Sequence, residues 1–107
     1  VGTLVSSFQG EPTAVVLNTA GDNVVITPGA GARLRIFWIG MSASQGNTGE
    51  NLAIVKLGSR VKYIWNLGNP GAFSHRDLLD GAKGEALIVN LSQAYPICFN
   101  YTFEEVY

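Results

Sequence analysis

Apolar and polar side chains alternate with a period of two along much of this chain. No stretch of about ten residues or more repeats at the 3.6-residue period of an amphipathic helix. The most regular run is the last. Tyr95, Ile97, Phe99, Tyr101 and Phe103 alternate with Pro96, Cys98, Asn100, Thr102 and Glu104, which predicts a long strand with one buried face. Shorter runs of the same kind cover 13–18, 23–27, 33–41, 52–57, 60–67 and 85–91, and 73–79 reads as an ambiguous edge strand. Gly58-Ser59 between two of these runs predicts a two-residue type II′ hairpin. Residues 42–50, all small or polar, read as a long loop. In 33–41 the strict alternation puts Leu34, Ile36 and Trp38 on one face and Arg33, Arg35, Phe37 and Ile39 on the other. Apolar groups on both faces predict a central strand, or one covered on both sides.

The expected fold is therefore all-β: an antiparallel jelly-roll-like β-sandwich of about eight strands with essentially no helix. Residues 13–107 are expected to form one sandwich domain, with 1–12 as an N-terminal arm or first strand. At 107 residues the chain has the length of one domain. With 47% hydrophobic and 14% charged residues, it can offset chain entropy by burial. Seven basic residues against eight acidic ones argue against binding nucleic acid through bulk charge, and no sequence-specific nucleic-acid contact is expected. No apolar run reaches the ~18–20 residues of a membrane helix, so no membrane partner is expected. The chain starts at Val1 without an initiator Met, and so reads as processed, trimmed or a fragment.

Residues that could carry chemistry are few. Nucleophilic catalysis needs a base beside a nucleophile, and the only candidate cluster is Ser74, His75, Arg76 and Asp77. Neighbours on an extended chain point to opposite faces, so Ser74 and His75 do not meet easily. The plainer reading makes His75 a solvated edge or loop residue and Cys98 a small core hydrophobe. Glu11, Asp22, Glu50, Asp77, Asp80, Glu85, Glu104 and Glu105 mostly flank turns, as solvated charges do, and offer no evident carboxylate pair for glycoside hydrolysis. Loop oxygens around Asp77 and Asp80 could serve a calcium ion, but the EF-hand pattern is absent. The glycines of 28–33 lack nucleotide-loop spacing. One Cys and one His exclude the usual zinc cages. No catalytic residue, metal or cofactor is expected.

Two surface features remain. Arg33, Arg35, Arg60 and Lys62, with Lys56 between them in sequence, would make a basic band if their strands are neighbours, suited to a polyanion or an acidic surface. Phe37, Ile39 and Ile64 put apolar groups on strand faces that a monomeric sandwich leaves wet, the pattern of a subunit interface. Trp38, Tyr63, Trp65, Tyr95 and Tyr101 could instead form a sugar-stacking platform, although their register with Leu and Val places them in the core first.

Residues 28–36 (PGAGARLRI), 62–65 (KYIW), 84–92 (GEALIVNLS) and 99–106 (FNYTFEEV) together resemble small structural proteins of tailed bacteriophage virions, of the capsid decoration and head-fibre type. The likeness spans residues 24–106 and leaves 1–12 outside. It implies a non-enzymatic homo-oligomer, a homotrimer, that decorates or cements a capsid. Its partners would be its own copies and the major capsid protein or another virion protein. Its place would be the virion, assembled in the bacterial host cytoplasm. The alternatives are a carbohydrate-binding β-sandwich module and a phage tail or fibre component. Such proteins share no catalytic motif, so no site residue follows from the likeness.

Overall fold

A computed structural model describes residues 13–43, 52–66, 71–76 and 78–107. The described residues form nine strands and no helix. These are β1 (Thr13–Leu17), β2 (Gly21–Ile26), β3 (Arg33–Ala43), β4 (Leu52–Leu57), β5 (Arg60–Asn66), β6 (Gly71–His75), β7 (Leu79–Asp80), β8 (Leu87–Leu91) and β9 (Ile97–Val106). β6 pairs with Ile39–Ala43 of β3 and β7 with Arg35–Ile36, so these two act as one interrupted edge strand. The first sheet runs β1-β9-β3-β6 and the second β2-β8-β4-β5, with every pairing antiparallel. The chain crosses between sheets at nearly every connection, which is the jelly-roll order. The all-β sandwich expected from the pattern is the fold observed. Residues 1–12 and 44–51 lie outside the described residues.

The core lies between the sheets. Leu34, Ile36, Ile39, Met41, Ile97 and Phe99 from the first meet Ala53, Val55, Leu57, Leu87, Val89 and Leu91 from the second, all buried. The final strand behaves as its alternation predicts: Ile97, Phe99 and Tyr101 are buried, and Phe103 packs partly against the core. Burial also raises the Tyr101 phenol above its ordinary range, because the phenolate would lose hydration. The hairpin at Gly58-Ser59 is as expected: Leu57 faces Arg60, and Gly58 has φ +61 while Ser59 does not take positive φ.

The face assignment of β3 needs correction. Ile36 faces Phe103 and Trp38 faces Thr102, so Phe37 is one extra residue in β3. This bulge shifts the phase by one. Leu34 and Ile36 point inward before it; Ile39, Met41 and Ala43 point inward after it. Ile39, expected on an outer face, is 1% exposed and belongs to the core. Trp38, expected inside, is half-buried on the outer side with Gly40. The same thing happens in β5. Val55 faces Tyr63 and Lys56 faces Val61, which makes Lys62 the extra residue. Val61 therefore leaves the face of Tyr63 and Trp65 and is 54% exposed.

At one end of the sandwich three connections are tied together. Gly81 N–H donates to Leu34 O at 2.8 Å, Gly84 N–H to Ala32 O at 3.0 Å, and Gly58 N–H to Ala86 O at 2.9 Å. The Arg60 guanidinium donates to both Glu85 oxygens at 2.6 and 3.0 Å, and to Asp80 O at 3.3 Å. Ala82 N–H donates to Glu85 Oε1 at 2.7 Å.

Candidate functional site: the outer face of the second sheet

The outward residues of the second sheet line up in rows across four strands. One row is Val24, Ile88, Lys56 and Val61, and the next is Asp22, Asn90, Ile54 and Ile64. Val24 and Ile64 are each 59% exposed, and Ile54 and Ile88 are half-buried by their neighbours. The registers force this placement. Ala53, Val55 and Leu57 alternate inward on β4, and Leu87, Val89 and Leu91 alternate inward on β8, so the residues between them face water.

A polar cluster sits among these apolar groups. Lys56 Nζ lies 3.0 Å from Asp22 Oδ1, and Asn90 Nδ2 donates to the same oxygen at 2.7 Å. These two contacts, the Asn90 hydrogen bond first, hold the Asp22 carboxyl below the usual carboxylate range. Neighbouring side chains therefore already neutralise the only charges in these two rows. What the face offers to a partner is its aliphatic surface.

The outer face of the first sheet is different. Its register positions carry Ala14, Val16, Cys98, Asn100, Thr102, Ser42, Gly40 and the Arg35–Glu104 pair, with Trp38 a large apolar group just past the β3 bulge. Phe37 is half-buried at the β3 bulge in this sheet, Ile64 stands on the second, and Ile39 is in the core. The three residues expected to share an interface thus do not share a face. Ile64 keeps an exposed place, and its apolar neighbours are Val61, Ile54, Ile88 and Val24. Sequence reading missed Val61 because it took the β5 alternation as unbroken.

The basic band does not form as expected. β3 and β5 lie in different sheets, so Arg33 and Arg35 are not strand neighbours of Arg60 and Lys62. Three of the four also meet acids: Arg33 pairs with Asp80, Arg35 with Glu104 at 3.4 Å, and Arg60 with Glu85. The Arg60 guanidinium, donating to the carboxylate, holds Glu85 below the usual range, and the Ala82 N–H adds to the effect. The same contact raises Arg60.

The groups considered for catalysis are dispersed. Ser74 is exposed opposite Gly40, while His75 is half-buried with its ring edge on Tyr63, centroids 4.4 Å apart. Tyr63 stacks on Trp65 at 5.7 Å and 12°, and both pack on the core. They are therefore not a flat exposed platform. Cys98 is exposed, not a core residue as expected, because it sits outward on β9 opposite Val16. Asp77, Glu11 and Glu50 lie outside the described residues. Asp80 already pairs with Arg33, and among the described residues no three His, Cys, Asp or Glu side chains are grouped to hold a metal ion.

No protein-family model matches the chain, and no curated protein matches it. A solved structure of Bacillus endospore appendages, described as a novel family of disulfide-linked pili, aligns with 86% of this chain and 85% of that one at 10% identity, with a TM-score of 0.42. A likeness this distant has no bearing on what the chain does.

Proposed function

We propose that this chain is a non-enzymatic structural subunit that assembles through its surfaces and, as a homotrimer, decorates or cements a phage capsid shell. The observation that carries the reading is the outer face of the second sheet, where Val24, Val61 and Ile64 are more than half exposed around an internally neutralised Lys56–Asp22 pair. Covering a half-exposed Val or Ile is worth roughly 1 kcal/mol. Association costs roughly 4–15 kcal/mol in lost freedom. Three such residues do not offset that from one side alone, so the contact also needs the flanking Ile54 and Ile88 and an apolar surface opposite. A second copy of the chain supplies one. The capsid partner and the virion setting rest on the resemblance of residues 24–106 to decoration and head-fibre proteins.

Analytical ultracentrifugation and native mass spectrometry of the parent and of Ile64→Asp test the reading. An oligomer in the parent that falls to a smaller species in Ile64→Asp, with the far-UV spectrum unchanged, supports it. A parent that stays monomeric from micromolar to near-millimolar concentration overturns it.

A further inference from the structure

β1 is an edge strand of the first sheet: its ladder partner is β9, and it has none on the other side among the described residues. A free edge exposes a row of backbone donors and acceptors, and proteins usually blunt such edges with charge, proline or a bulge. The two edges of the second sheet follow this rule. β2 carries Asp22 and a bulge at Val25, and β5 carries Arg60, Lys62 and a bulge at Lys62. β1 has none of these devices. Its sequence, Thr13-Ala-Val-Val-Leu17, is uncharged and free of proline, and its five pairs with β9 run without a register break. Val16 is 59% exposed on the outer side, and Val15 is only partly covered where it packs on the core.

We infer that β1 is a docking edge for a second copy of this chain, which adds its own β1 antiparallel and makes one sheet continuous across a two-fold axis. The inference rests on the reading of the chain as a self-assembling subunit. The occupant follows from the strand itself. Centred on Val15, the antiparallel pair sets Val15 against Val15, Ala14 against Val16 on the outer side, and Thr13 against Leu17 on the inner side. Each pairing joins small or β-branched groups, and the match brings no like charges together, because the strand has none. Pairing β1 with β2 or β5 of another copy would instead set an uncharged strand beside the charged, bulged edges, and β6 with β7, the other edge of the first sheet, is an interrupted ladder that carries Asp80. Antiparallel self-pairing is isologous and closes at two copies, so it does not run on into a fibre. A five-residue ladder is small, which puts the contact at the weak, concentration-dependent end of protein association. It uses different residues from the outer face of the second sheet, so one molecule can make both contacts.

The test compares the parent with Val16→Lys, Ala14→Lys and Ile64→Asp by sedimentation velocity over a concentration series, with far-UV spectra and thermal midpoints as fold controls. Val16 and Ala14 are both exposed, so lysine at either leaves the core intact. The expected result is that both lysine variants weaken the concentration-dependent step at least about tenfold, whereas the assembly that depends on Ile64 persists. A fourth variant, Val15→Cys in a Cys98→Ser background, should give a disulfide-linked dimer on mild oxidation, since its two copies face each other at the axis. If the parent self-associates and both lysine variants match it at every concentration, the edge inference is overturned while the proposed function stands. If the parent does not self-associate, both fall.

Discussion

The indole of Trp38 covers Gly40, two residues along the same strand, so closely that a Cβ built on Gly40 would lie 2.6 Å from Cζ2 of the ring. Residues i and i+2 of a strand share a face. The missing side chain at Gly40 is what gives the indole its place, and the ring in turn buries Gly40. Alanine in a strand is normally better than glycine by roughly 0.5–1 kcal/mol. Here the ring must move, and the sign reverses. Gly40→Ala is expected to destabilise the fold by about 1–3 kcal/mol. Its Trp38 fluorescence, read in a Trp65→Phe background, should shift to the red. Unchanged emission and a gain in stability would refute the contact.

Ile39 and Ile64 are expected to behave oppositely, because one is 1% and the other 59% exposed. Ile39→Asp buries an unpaired carboxylate and should abolish the cooperative unfolding transition. Ile64→Asp should keep the transition within about 0.5 kcal/mol of the parent when both are compared as monomers. Chemical denaturation followed by circular dichroism reads both.

Phe99 is fully buried between the sheets, with its ring centroid 5.7 Å from that of Tyr101. Phe99→Ala should cost roughly 3–5 kcal/mol, since the lost transfer energy and the cavity left behind add. Urea titration measures it, with the midpoint falling and the slope unchanged.

Two carboxylates tie acid stability to named pairs. Asp22, held by Asn90 and Lys56, and Glu85, held by Arg60 and Ala82 N–H, are both lowered in the folded state. A group with a depressed folded pKa stabilises the fold above its unfolded value, and that contribution disappears as pH falls through the folded value. Thermal midpoints should therefore be flat between about pH 5 and about pH 9 and fall below about pH 4. Asp22→Asn and Glu85→Gln should each lower the plateau and flatten the acid limb. Added salt should shrink the differences, because both pairs face solvent.

Strand positions and the inward face of β9 were legible in the sequence, because alternation and turn residues act locally. The bulges were harder to read. Phe37 and Lys62 are ordinary strand residues, and an extra residue in a ladder has no composition of its own. The clue in β3 is the spacing of its aliphatic residues: Leu34 to Ile36 is two, Ile36 to Ile39 is three, and Ile39 to Met41 is two again. One missed phase change moved Ile39 inside and Trp38 outside, and the other moved Val61 outside. The charge pairs were out of reach for a different reason. Arg33 and Asp80 are 47 positions apart, and only the pairing of β7 with β3 brings them together.

The fastened end of the sandwich has a practical consequence for anyone adding sequence to this protein. Gly58, Gly81 and Gly84 each donate a backbone N–H to another segment, so lengthening any one of those connections loosens its neighbours as well. Residues 18–20, by contrast, are exposed, join β1 to β2 from one sheet to the other, and are held by a local contact, Asn23 Nδ2 donating to Thr19 O at 2.8 Å. A grafted epitope belongs there.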